Sequence, residues 1–143
     1  MNDSYYYIFY NMVKENNEFT GADLPEDIEV YIIMLLAYYT DRPLDVLETN
    51  FGLSFLQISK NKYKFTKELG DKSLFVSGVF PDLGVKYGIK KSYYQDIGIS
   101  CYETISEKNK NNLFTRLSKY FYFLSDFINH TVTNSKKYIN HGI

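Results

Sequence analysis

The sequence is poor in several residue types on which particular sites and folds depend. It has no tryptophan, one cysteine (Cys101) and three prolines among 143 residues. A single cysteine excludes an internal disulfide and most structural zinc sites. The 16 basic and 17 acidic residues give a net charge of −1, whereas a dedicated binder of nucleic acid or anionic membranes usually carries a basic excess.

Long apolar runs are also lacking. The most apolar stretch, residues 30–39, is about half the length of the roughly 20 residues that a membrane-spanning helix needs. The N-terminal sequence has neither the basic region nor the small-residue cleavage site of a secretory signal. We therefore expect no membrane span and a cytoplasmic location.

Aromatic residues, in contrast, are abundant. The chain has 15 tyrosines and 11 phenylalanines, which make its aromatic fraction 18%. Such a chain can bury a large apolar area, and this excludes intrinsic disorder. Because chains of this length usually form one core, we predict a single helical domain over residues 1–133, followed by a polar C-terminal tail over residues 134–143.

Apolar residues recur at helical spacing along most of the chain. The second predicted helix, in which Pro25 takes the first helical position, is apolar almost all round over residues 28–39, as is typical of a helix at a bundle centre or in a subunit interface. Residues 43–59 are compatible with short helices or a short strand. Sequence signals for strand pairs and hairpin turns are absent. The sequence predicts an all-α, single-domain bundle of five to six helices.

Two glycines interrupt a segment that otherwise predicts a helix over residues 61–80. Gly70 and Gly78 each cost roughly 1 kcal/mol relative to alanine in a helix interior, and together with Ser77 they form a face of small residues. The next predicted helix carries Gly98 and Cys101 between tyrosines. This pattern predicts a close crossing of the two helices, flanked by aromatic rings.

The same segment carries a motif of the form GDxxLFxxGxF, followed after a loop by YYxxxGxxxY. It comprises Gly70, Asp71, Leu74, Phe75, Gly78, Phe80, Tyr93, Tyr94, Gly98 and Tyr102. The motif resembles that of a family of small bacterial proteins of unknown function, and more loosely the resemblance includes residues 24–39. The loop at residues 82–91 differs from the arginine-containing version of that family. The resemblance implies a helical bacterial domain and transfers no activity.

Asp71 is the most notable ionisable residue, because it lies next to Gly70 near an apolar face. A buried carboxylate needs hydrogen-bond partners, and we expect Tyr93, Tyr94 or Tyr102 to supply them. One interpretation makes Asp71 part of a ligand pocket or acid/base site; the other makes it a polar pin that fixes the helices. The candidate site comprises Gly70, Asp71, Phe75, Gly78, Tyr93, Tyr94, Gly98 and Tyr102.

Signals for other chemistry are weak. His130, His141 and Cys101 lack the spacing of a metal site or of a recognised catalytic motif, so we predict no metal, no cofactor and no catalytic residue. The densest basic run consists of Lys60, Lys62, Lys64, Lys67 and Lys72. It is interleaved with aromatic residues, as in a single-strand nucleic-acid surface, but it is also typical of a solvated helix start. Nucleic acid is therefore a disfavoured partner.

The apolar helix surface is larger than a small core needs, especially at residues 30–39 and 120–123. This surplus favours a non-enzymatic helical interaction module, either a homodimer or an adaptor for a protein partner. The alternative is a small-ligand-binding protein or an enzyme that uses a tyrosine-lined cleft around Asp71. That alternative requires a pocket of at least about 300 Å³ that Asp71 faces.

Overall fold

The structure, a computed structural model, describes the backbone of residues 3–109 and 112–141, and the side chains of residues 3–107 and 113–134. These residues contain eight α-helices, one 3₁₀ helix over Val85–Tyr87 and no strand. The α-helices are α1 (Asp3–Thr20), α2 (Glu26–Thr40), α3 (Pro43–Leu47), α4 (Phe51–Phe55), α5 (Tyr63–Val79), α6 (Lys91–Asn109), α7 (Asn112–Lys119) and α8 (Phe121–His141). The all-α prediction is confirmed, whereas the predicted number of five to six helices is too low.

Two segments account for the difference in number. Residues 43–59 contain two separate short helices: Pro43 begins α3 at a position where proline is favoured, and the Asn50 side chain caps α4 by accepting a hydrogen bond from Leu53 N at 3.0 Å. The predicted last helix is divided at Tyr120 into α7 and α8. The division lets α7 pack mainly against α6 while α8 packs mainly against α5.

The predicted boundary between domain and tail falls inside a helix. The backbone of α8 continues through position 134 to His141, and residues 142–143 lie outside the described residues. The division of the chain into residues 1–133 and 134–143 stays a prediction.

Helix α5 lies at the centre of the bundle, where it packs against α6, α8 and α2. Ten of its side chains or glycine positions are buried, and its small residues allow close helix approach. A Cβ atom added at Gly70 would lie 2.9 Å from Tyr102 Cε1, and one added at Gly78 would lie 2.5 Å from Ile128 Cγ2. The predicted crossing at small residues is therefore present, but Gly70 faces α6 while Gly78 faces α8.

Gly98 of α6 provides a third close approach. A Cβ atom at this position would lie only 2.2 Å from Phe121 Cζ and 3.0 Å from Ser73 Cβ. The fully buried Phe121 ring thus occupies the space that a side chain at residue 98 would need. Because Gly98 has no side chain, Phe121, the first residue of α8, can place its ring in the core.

Candidate functional site

Asp71 is the meeting point of three helices. Its Oδ1 accepts hydrogen bonds from the hydroxyls of Tyr102, at 2.7 Å, and of Tyr31. Its Oδ2 accepts from Lys67 Nζ at 2.9 Å, one turn earlier in α5. Tyr31 belongs to α2 and Tyr102 to α6. The carboxylate therefore ties α2 and α6 to α5, and both of its oxygens are hydrogen-bonded.

The local sequence explains this geometry. Lys67 and Asp71 are four residues apart on one helix, a spacing that brings side chains together on the helix surface. Gly70 lacks a side chain beside Asp71, so the Tyr102 ring can lie against the α5 backbone. Lys67 Nζ also lies 5.4 Å from the centre of the Tyr31 ring, and this contact helps to hold the ammonium at the carboxylate.

Burial and the charge of Asp71 determine the protonation of its tyrosine partners. Burial, followed by the carboxylate of Asp71, raises the pKa of the Tyr31 hydroxyl well above its ordinary value of 10.0. The same two causes, in the same order, raise the pKa of Tyr102. Both hydroxyls therefore stay protonated and act as donors. Neither tyrosine is poised to act as a base or nucleophile near neutral pH.

The other predicted site residues lie elsewhere. Tyr94 packs against Phe51 of α4 with ring centres 5.1 Å apart, and Tyr93 stacks edge-on against Tyr94 at 5.5 Å. Phe75 is buried between the rings of Tyr39 and Phe80. The structure thus brings Gly70, Asp71 and Tyr102 together, while Tyr93 and Tyr94 make no contact with Asp71. It adds Tyr31 and Lys67, which the sequence did not single out as partners.

A cleft of about 260 Å³ lies beside this cluster, between α2 and α5. Its lining residues are Tyr31, Met34, Leu35, Tyr38, Tyr39, Lys67, Glu68 and Asp71. Asp71 borders this cleft, but both of its oxygens accept hydrogen bonds from protein donors. This geometry favours the interpretation of Asp71 as a polar pin.

The outward face of α2 is the most unusual surface next to this cluster. Val30, Met34 and Tyr38 follow one another at four-residue spacing and are 41%, 42% and 42% exposed. We call these three residues the α2 stripe. The opposite face of the helix is buried, so α2 has apolar side chains both inside and outside, as its sequence predicts.

Polar contacts on two sides of α2 hold the helix in place. On its buried side Glu29 pairs with Lys14 and accepts a hydrogen bond from Asn17 Nδ2 at 2.7 Å, which joins α2 to α1. At the N-terminal end of the stripe Asp27 pairs with Arg116 of α7, and this contact lowers the pKa of the Asp27 carboxyl. These contacts hold α2 so that the stripe is presented on a rigid helix.

Cys101, His130 and Lys67, which were considered for other chemistry, are buried or bonded within the fold. Cys101 is fully buried, and burial raises the pKa of its thiol to about 12. His130 Nδ1 lies 2.7 Å from Asn16 Oδ1, and the side chain of His141 lies outside the described residues. Lys67 of the basic run pairs with Asp71. In the part of the chain that the structure describes, no three His, Cys, Asp or Glu side chains are grouped to hold a metal ion.

Within residues 3–109 and 112–141, no helix combines the length and hydrophobicity required to cross a bilayer. No family model, no curated protein and no solved structure matches this chain. The resemblance to small bacterial proteins stays a prediction, which rests on the motif residues and, more loosely, on residues 24–39.

Proposed function

We propose that the protein is a non-enzymatic helical interaction module, and that the α2 stripe is the surface with which it binds another protein chain. The supporting observation is the row of Val30, Met34 and Tyr38 on the outer face of α2, each about two-fifths exposed. Scattered apolar residues are normal on a protein surface, whereas apolar residues that follow one another on one helix face favour an interaction site.

The composition of the stripe also suits a protein partner. A tyrosine presents a large ring together with a hydroxyl, and a methionine adapts its shape to a facing surface. Aromatic residues and methionine are both enriched in the centres of protein interfaces. The ion pair of Asp27 with Arg116 places charged groups at the N-terminal end of this apolar surface.

The role of Asp71 supports the same proposal. A carboxylate with two tyrosine donors and one lysine donor has no oxygen left without a partner. The cluster fixes Tyr31, which lies on α2 between Val30 and Met34 in the sequence. In this proposal Asp71 holds the binding helix in place and does not itself meet the partner.

Site-specific photo-crosslinking in the cells that naturally produce the protein tests this proposal. A benzophenone-bearing phenylalanine analogue is placed at position 34 and, as a control, at the exposed position of Glu103 on α6. We expect protein adducts from position 34 and none from position 103. Additional Val30→Glu and Tyr38→Glu substitutions should remove these adducts while leaving the helical content and melting temperature of the purified protein unchanged.

A third probe position distinguishes between the exposed apolar surfaces. Tyr120, Tyr122 and Phe123 near the start of α8 are also about half exposed. Adducts that form from position 123 and not from position 34 would contradict the assignment to the α2 stripe. A chain that forms no adduct from either position and sediments as a strict monomer would refute an interaction module altogether.

A further inference from the structure

The charges at the two ends of the α2 stripe identify the kind of partner that fits it. Resting on the proposed function, we propose that the partner is a second copy of this chain, bound through α2 in antiparallel orientation about a two-fold axis at Met34. Two observations carry this inference: the spacing of the residues along the outer face of α2, and the opposite charges at its ends.

The spacing is symmetric about Met34. Val30 and Tyr38 lie four positions before and after it, and Glu26 and Arg42 lie eight positions before and after it. Residues four apart form a ridge on a helix surface, and two such ridges interdigitate when helices cross at about −50°. In an antiparallel pair centred on Met34, each Val30 packs next to the Tyr38 of the other copy.

In the same antiparallel pair, residues of opposite charge face each other. Glu26 is exposed in the first turn of α2, whereas Arg42 follows its last turn. The guanidinium carbon of Arg42 lies 4.3 Å from the centre of the Tyr38 ring, so its charge lies directly at the end of the stripe. In the antiparallel pair each Glu26 approaches the Arg42 of the other copy, and the contact occurs twice because of the two-fold symmetry.

Part of the Arg42 side chain is accessible to a second copy. Its Nη1 is buried within its own chain and lies 3.5 Å from Asp41 Oδ2, but the side chain as a whole is 36% exposed. A parallel pair would instead bring Glu26 next to Glu26 and Arg42 next to Arg42. Like charges facing each other disfavour that arrangement.

Charge reversal on the full-length protein tests the register. Sedimentation velocity gives the dissociation constant of self-association for the wild type, Glu26→Arg and Arg42→Glu. We expect each single variant to associate about tenfold more weakly, since each carries two like-charged contacts per dimer. An equimolar mixture of the two variants should form a heterodimer of near wild-type affinity, because every contact in it again joins opposite charges.

Two controls accompany the mixture of Glu26→Arg and Arg42→Glu. Glu103→Arg makes the same charge change on the exposed face of α6 and should leave the dissociation constant unchanged. Thermal unfolding of each variant checks that the monomer fold is retained. Equal affinities for the mixture and the separate variants would overturn the antiparallel register. A monomeric wild type would overturn the second copy as partner.

The outcomes also separate this inference from the proposed function. If the position-34 probe forms adducts only with a different protein, the α2 stripe is an interaction surface and the self-pairing is wrong. If the probe forms adducts of twice the mass of this chain and the mixed variants restore affinity, the interaction surface and the self-pairing are both supported. If no adduct forms and the wild type is monomeric, both proposals are wrong.

Discussion

The hydroxyl of Tyr102 donates a 2.7 Å hydrogen bond to Oδ1 of Asp71, and both residues are buried. The bond joins α6 to α5 at the point where Gly70 permits the closest approach of the two helices. A buried carboxylate is costly unless it is paired and hydrogen-bonded. The two tyrosines and Lys67 meet that requirement, so the cluster should be sensitive to any change that leaves one of its members without a partner.

Replacement of Asp71 tests the polar pin. Asp71→Ala leaves the buried hydroxyl of Tyr102 and that of Tyr31 without their acceptor, and we expect the free energy of unfolding to fall by about 2–4 kcal/mol. Asp71→Asn should cost less, about 1–2 kcal/mol, because its Oδ1 can still accept from both tyrosines. Urea denaturation followed by circular dichroism measures both values.

Asp126→Asn is the matched control for this change. Asp126 also pairs with a lysine, Lys91 at 3.3 Å, but its side chain is exposed. Exposed ion pairs contribute little, and we expect wild-type stability. An Asp71→Ala protein that is as stable as the control would show that the cluster does not hold the helices together.

Alkaline pH should destabilise the protein. The pKa values of Tyr31 and Tyr102 are raised in the folded state, so these hydroxyls stay protonated where the tyrosines of the unfolded chain begin to ionise, near pH 10. The folded state then binds more protons, and its stability, fully present below about pH 10, is lost as the pH rises. The expected loss is about 1.4 kcal/mol per pH unit for each tyrosine.

Tyr102→Phe separates this effect from the ionisation of lysines. The variant should show a slope of unfolding free energy against pH, between pH 10 and 11, that is shallower by about 1.4 kcal/mol per unit. Tyr7→Phe serves as the comparison because water reaches the Tyr7 ring in the folded protein, where it is 66% exposed. Identical slopes for Tyr102→Phe and wild type would show that the Tyr102 hydroxyl is not held protonated by the fold.

Gly98→Ala tests the close approach of α6 and α8. Its Cβ atom would lie 2.2 Å from Phe121 Cζ, so the ring must move out of a packed core. We expect a loss of about 1–3 kcal/mol in the free energy of unfolding, even though alanine is the better helix former. Chemical denaturation gives the value.

A double substitution assigns the loss to Phe121. Phe121→Leu in the Gly98→Ala background should recover part of the stability, so that the two effects are not additive. Gly52→Ala is the comparison within a helix, because its Cβ would meet only the hydroxyl of the exposed Tyr93 side chain, at 3.0 Å, and Asn50 Oδ1 at 3.8 Å. Additive losses would place the strain somewhere other than the Phe121 ring.

Helical periodicity and turn residues were enough to predict the all-α class and the approximate bounds of α2 and α5. The small residues Gly70 and Cys101 also correctly predicted the crossing of α5 and α6. The division at Tyr120 was missed because residues 113–128 keep helical spacing throughout. That division follows from tertiary packing, in which α7 and α8 contact different helices.

The site was predicted in part. Tyr102 is a partner of Asp71, but Tyr94 lies eight residues earlier on the same helix and therefore about 12 Å away along its axis. Both tyrosines cannot reach one carboxylate, and this limit was available from the sequence. Tyr31 was not predicted as a partner because it is 40 positions from Asp71. No local pattern reports which side chains meet across such a distance.

Helix α8 supplies side chains that pack on, or hydrogen-bond to, residues of three earlier helices. Phe121 fills the space at Gly98, Ile128 packs on Gly78, and Thr131 accepts a hydrogen bond from the buried Asn16 of α1 at 2.7 Å. During synthesis from the N-terminus, these positions on α1, α5 and α6 have no covering side chains until residue 131 has left the ribosome. The nascent chain therefore exposes the surfaces at Gly78 and Gly98 until α8 has emerged, and chaperones have access to them during that period.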